Sequence, residues 1–244
     1  MLCLSSFSLN DMLQMSASLR KLGADATSLA AVAQRTVRHL YDTLRDKDGQ
    51  PACLLVRGFK LHPYGALPHE LSALAQTQSP EPLTAELKCL VLLATAGPLP
   101  QWCDPRQSSG HRAIPLLGPP MVQKAPMISR LIQQLGLDLA AALAPSADLI
   151  MEMAQTTYNV FYVPEALGSP YIPAQESFVR RYGVRSVLGF GGVLPDGNLF
   201  AYIMFCRVFL DRDIAEMWKT IATSIKIAMI PHYQAAFARP GSPP

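Results

Sequence analysis

The chain has 244 residues, half of them apolar, which is enough to bury one large core or two small ones. Its 21 basic and 18 acidic side chains leave a formal balance of +3, too small and too dispersed for a nucleic-acid surface, which needs clustered Lys and Arg on one face. The longest strongly apolar run, CLVLLATAG, falls far short of the roughly 20 residues of a membrane helix, and MLCLSSFSLNDML lacks the basic start of a leader peptide, so a soluble cytoplasmic protein without a membrane partner is expected.

In chain order, Ser8 to about Arg45 reads as two helices separated by LGADATS. In the second, Leu29, Val32, Ala33, Thr36, Val37, Leu40, Tyr41 and Leu44 recur at steps of three and four, with Arg35, Arg38, Asp42 and Arg45 opposite and Thr27 or Ser28 as cap. RDKDGQ is a turn, PACLLVRGFKL a strand ended by HPYGALP, and LPHELSALAQTQ a short helix with Pro in its first turn. LKCLVLLATAG predicts a second buried strand, followed by the polar loop PLPQWCDPRQSSGHR and a brief strand AIPLL. A helix around Met127 to Leu135 is broken before by Pro126 and ended by Gly136. SADLIMEM begins with a helical turn or two before an aromatic, Pro-rich excursion. VRSVLGFGGV and LFAYIMFCRVF form a hairpin around LPDGNL. Ile214, Met217, Trp218, Ile221, Ile225 and Ala228 line one face of a closing helix that Asp211 or Asp213 can cap and Pro231 ends. The order is that of an α+β fold with a mostly antiparallel sheet. An N-terminal helical segment (1–24) precedes one domain (25–232) with an insertion at about 115–180, and a disordered Pro-rich tail (233–244) follows.

No catalytic signature is complete. Gly189, Gly191 and Gly192 do not satisfy GxGxxG and open no helix, so GFGG reads as a place where another backbone or a ligand approaches a strand. GxSxG, HExxH and GxxxxGK[ST] are absent, and no pair of carboxylates suggests acid–base work. Five cysteines without a CxxC pair read as a reduced set, with Cys53, Cys89 and Cys206 buried in apolar runs. His62, Cys103 and His111 lie in loops that folding can bring together around a metal, haem or non-haem iron included, or leave solvated. Tyr158, Tyr171 and Gln175 in the aromatic excursion suit either a pocket wall or a plain cover of the sheet.

The long first helix, the strand after a DG turn, VLLATAG, AIPL and LPDGNLFAYIMF leading into a closing helix resemble a GAF domain, a relative of PAS domains. RGFKLHPYGALP, SSGHRAIPL and VFYVPEALGSPYIPAQESF look like the N-terminal GAF-type input regions of bacterial histidine kinases and related two-component proteins. The resemblance implies an antiparallel sheet of about five to six strands with N- and C-terminal helices packed on it. It also implies dimerisation through those helices and sensing of a small molecule or cofactor, either in a free-standing sensor or in an input module separated from a signalling output domain or kinase. The ligand-binding candidates are then His62, Tyr64, Trp102, His111, Tyr158, Tyr171, Gln175, Gly189 and Gly191. The Asn-Lys-Phe-Asp-Glu set of cyclic-nucleotide-binding GAF domains and a chromophore cysteine motif are not found. Two other readings are thiol redox chemistry at Cys103, like that of GAF-type free methionine sulfoxide reductases, and a ligand-free dimerisation module.

Overall fold

A computed structural model describes residues 1–108, 110–118, 126–134, 143 and 158–237. Helix α1 (Leu9–Arg20) opens on a capping box, in which the Ser8 Oγ accepts the Asp11 amide and the Asp11 carboxylate accepts the Ser8 amide at 2.9 Å. Helix α2 (Leu29–Thr43) starts at Ser28, whose Oγ accepts the Ala31 amide at 3.2 Å; Ser28 is thus the cap. Its apolar stripe, Leu29, Val32, Ala33, Val37 and Leu40, is fully buried, as the helical spacing predicts.

Two short strands that the sequence pattern does not announce, β1 (Leu2–Cys3) and β2 (Leu44–Arg45), pair in parallel. The main sheet follows: β3 (Cys53–Pro63), β4 (Lys88–Ala96), β5 (Ala113–Pro115), β6 (Phe161–Val163), β7 (Ser186–Val193) and β8 (Leu199–Cys206). Its six strands lie in the order β5-β4-β3-β8-β7-β6, every neighbour antiparallel. The hairpin between β7 and β8 turns where expected, with Gly197 at φ 74° and its amide bonded to the Leu194 carbonyl at 2.9 Å. Helix α3 (His69–Gln76) and helix α4 (Pro126–Gln134) lie in the connections, and helix α5 (Arg212–Met229) closes the chain. Asp211 occupies the N-cap of α5 without a side-chain capping bond. The turn or two of helix expected near residue 147 lies outside the described residues, as does Gly136. Among the described residues, no helix is long and apolar enough to cross a membrane.

The sheet is covered on both faces. Helices α1, α2 and α5 cover one, where Trp218 of α5 stacks on Phe7 at 5.6 Å and meets Phe190 of β7 at 4.9 Å between ring centroids. Leu4, Phe7, Met15 and Leu19, from the first 24 residues, belong to this same cluster. The other face is covered by α4 and by the loops after β4 and β6, through Trp102, Leu131, Ile172 and Val179. Within that cover, Gln175–Arg180 forms a wide π-type helical turn where the sequence shows only a Pro-rich excursion.

One expectation is corrected here, and one that left two alternatives open is narrowed. Residues 233–237 are not part of a disordered tail: the Leu29 amide donates to the Ala235 carbonyl at 2.8 Å, Ala236 is buried, and Phe237 packs on His62. These contacts offset the chain entropy that the Pro-rich composition suggested would win. GFGG holds the chain itself rather than a ligand. A Cβ on Gly191 would lie 2.1 Å from the Phe200 carbonyl oxygen of β8, and one on Gly189 would lie 2.9 Å from Leu131 of α4. Gly191 is therefore where the neighbouring strand's backbone closes in. Gly191→Ala is expected to destabilise the fold by about 2 kcal/mol or more through overpacking, read as a lower urea midpoint. Gly192→Ala is expected to cost less, because its methyl would meet the Phe200 ring at 3.3 Å.

Candidate functional site

The loop face of the sheet holds a cavity of about 330 Å³. Alternation along β3 builds its floor: Leu55, Arg57 and Phe59 point to the loop side, while Val56 and Lys60 face the helices. Ile203 and Phe205 of β8, paired with Arg57 and Leu55, complete that floor. Trp102 forms one wall. It sits at the end of the short turn Pro100–Trp102 and folds back over Gly97, where a Cβ would stand 3.0 Å from the indole. Its ring meets Phe178 at 5.9 Å and Tyr182 at 5.0 Å, and Phe178 stands edge-on to Phe205 at 5.0 Å. Ile172, Pro173, Ala174 and Met127 close the roof, and Gly110 with His111 forms the rim.

Arg57 is the one charged group among the described residues of this lining. Among the described residues, one of its five N–H donors is used, on Ser108 Oγ at 3.3 Å, and the buried Nε has no partner. The Ser108 hydroxyl donates in turn to the Gly110 carbonyl at 2.7 Å, which fixes the rim against the guanidinium. No carboxylate of the described residues pairs with Arg57; in this region Asp104 is held by Arg106 and Glu70 by Arg112. Burial pushes the Arg57 pKa down from its ordinary value. His111 is pushed down as well, first by desolvation and then by the Arg57 charge, so its imidazole is neutral at pH 7. Its backbone lies at φ 63°, a left-handed conformation that costs a non-glycine residue about 1 kcal/mol and is often found at binding sites.

Of the residues expected to bind a ligand, only Trp102 and His111 line this cavity. Gln175 is a loop staple: its Nε2 donates to the carbonyls of Ala166, Ser169 and Ile172, and its Oε1 accepts the Gly168 amide. Tyr171 stacks under Arg130 at 5.1 Å. Tyr158 is buried, its hydroxyl pKa pushed up to about 12 by desolvation, with a ring carbon 3.5 Å from the Cβ position at Gly192. Tyr64 packs against the helix-side core at the far end of β3, where its amide bonds to Leu87.

His62 is on the opposite face from His111. It lies beside Phe237 at 5.6 Å and lines a polar cleft with Lys60, Asp196 and Asn198, and burial lowers its pKa. His62, Cys103 and His111 therefore cannot converge on one iron or other metal through these positions, and no group of three potential ligands occurs among the described residues. Cys103 lies beside Trp102 but outside the cavity lining, and its sulfur faces the carbonyl oxygens of Gly97 at 3.2 Å and Leu99 at 3.5 Å. All five cysteines are free. The residues that the sequence reading missed, Arg57, Phe59, Ile203 and Phe205, lie in apolar strand runs. The available signal was Arg57 itself, a charge inside CLLVRGF.

Neither a protein-family model nor a curated protein matches the sequence. Among solved structures, the chain is similar to the free methionine-R-sulfoxide reductase from Neisseria meningitidis in complex with its substrate, at 14% identity and TM-score 0.47, covering 93% of this chain and 90% of that one. It is similar to the GAF domain from an Acinetobacter phosphoenolpyruvate-protein phosphotransferase at 11% identity and TM-score 0.46, covering 94% and 98%. It is also similar to the phycocyanobilin-bound GAF domain from a cyanobacterial phytochrome at 9% identity and TM-score 0.45, covering 93% and 97%. The fold itself is the α+β arrangement expected from the sequence, a six-stranded antiparallel sheet with the terminal helices packed on one face.

The polar cleft on the helix face has a structural role of its own. Lys60 is 1% exposed and its Nζ lies 2.9 Å from the Asp196 carboxylate, while Lys88 donates to Asn198 at 2.6 Å. Asp196→Asn strands a buried ammonium and is expected to cost about 3 kcal/mol. Adding Lys60→Met is expected to recover most of that loss in the same urea titration.

Proposed function

We propose that the protein is a non-catalytic sensory domain that takes a small molecule into the cavity between the sheet and its loop cover and signals through its terminal helices. The observation that carries this reading is the cavity's floor. Ile203 and Phe205 line it, while the residues alternating with them on β8, Phe200, Tyr202 and Met204, belong to the helix-side core that holds α5. A ligand pressing on β8 is thus one residue away from the packing of the output helices. Such a signal requires the ligand to bind one helix arrangement better than another.

The helices also carry the means of pairing. Leu9 and Leu13, one turn apart on α1, are 62% and 58% exposed, and Ile227 on α5 is 46% exposed. We read these as the seam of a homodimer that passes the signal to an output domain or kinase in the cytoplasm, as in two-component systems. The cavity weighs against a ligand-free dimerisation module. The position of Cys103, outside the cavity lining with its sulfur against the Gly97 and Leu99 carbonyls, weighs against a thiol enzyme acting on a ligand held there.

Native mass spectrometry of the purified protein tests the reading. A stoichiometric small-molecule adduct is expected on the wild type and absent from Ile203→Trp, which fills the cavity. An adduct retained by that folded variant, or a wild type that carries none and is stabilised by no small molecule, contradicts it.

A further inference from the structure

The chemistry of the cavity narrows what it takes. Resting on its reading as a ligand site, we infer that the ligand is a monocarboxylate with a compact apolar body, its carboxylate paired to the Arg57 guanidinium and its body lying among Phe59, Trp102, Phe178, Ile203 and Phe205.

The first support is the charge imbalance. A guanidinium withdrawn from water needs compensation, and among the described residues Arg57 has only a neutral hydroxyl at 3.3 Å. Among the described residues of this loop face, Asp104 is committed to Arg106 and Glu70 to Arg112. The second support is the unused fork. With Nε buried and unpartnered and one N–H on Ser108, the guanidinium keeps donors for two parallel bonds, the geometry that a planar carboxylate accepts. The third is the neutral His111 at the rim, which adds an N–H donor without adding charge. Charge and shape then fix the class. One cation suits one negative charge, so a phosphate ester or a polyanion would leave oxygen atoms without donors against Leu55, Phe59 and Phe205. Four aromatic rings on a 330 Å³ space suit a single ring or a branched chain on a short linker.

Matched acid and amide probes separate the charge from the shape. Phenylacetate and phenylacetamide, 3-phenylpropionate and its amide, and 4-methylpentanoate and its amide have nearly the same bodies. Isothermal titration to the full chain is expected to give at least one acid that binds about tenfold or more tighter than its amide, the size of a charge-assisted pair. Arg57→Gln is expected to erase the difference, and Arg57→Lys, a point charge without the fork, to keep part of it. If the amides bind as well as the acids, the cavity remains a ligand site and the carboxylate inference is overturned. If acid and amide alike fail to bind, and no adduct is retained on the wild type, the cavity reading falls and the inference with it. The acid-to-amide comparison on the wild type decides the matter even where Arg57→Gln does not fold.

Discussion

The sheet is apolar on both faces, and both must be kept from water. Every residue of β7 and β8 is buried, and β3 is nearly so. At about 25 cal/mol per Å² of apolar surface, an uncovered face of such a sheet could not persist in water. Three helices with continuous apolar stripes close one side, and Trp218, Phe190 and Phe7 interlock there. The other side is closed by α4, whose Ile128, Leu131 and Ile132 are buried against it, and by a π-type turn and loops. The cavity sits under that second cover.

Placing Arg57 in the floor of this cavity works against stability by itself, since a partly buried cation with a single neutral partner is expensive. The other buried cation of β3 is held differently. Lys60, on the opposite face of the same strand, has its carboxylate at 2.9 Å. These two cations, three residues apart, differ in that Lys60 has a carboxylate partner and Arg57, among the described residues, has none. The left-handed backbone at His111 and the Ser108 bond to Gly110 lie at the same rim of the cavity.

Much of this architecture was legible in the sequence. The stripes of α2 and α5 repeat at the helical period, PDG marks the hairpin, and the failure of GFGG to match a phosphate loop agrees with Gly191 meeting the backbone of β8. What was not legible is which face each residue takes. A strand buried on both sides has no polar–apolar alternation to read, and irregularities between Cys53 and Leu55 and between Gly58 and Phe59 shift the register of β3 against its neighbours. His62, read from the chain as a loop residue, lies in β3 and lines the cleft on the helix face, whereas His111 stands at the rim of the loop-face cavity. Tyr158, Tyr171 and Gln175 had a pocket-like composition, but composition does not separate a residue that lines a cavity from one that holds the lining together. Gln175 does the second, through four backbone partners.

The most direct measurement is a high-resolution crystal structure of the protein as purified, without added ligand. The account predicts continuous density in the cavity for a small molecule whose two carboxylate oxygens lie about 2.8 Å from the Arg57 guanidinium, with its body against Phe59, Ile203 and Phe205. Density for water alone, or a carboxylate of the chain itself paired with Arg57, would contradict it.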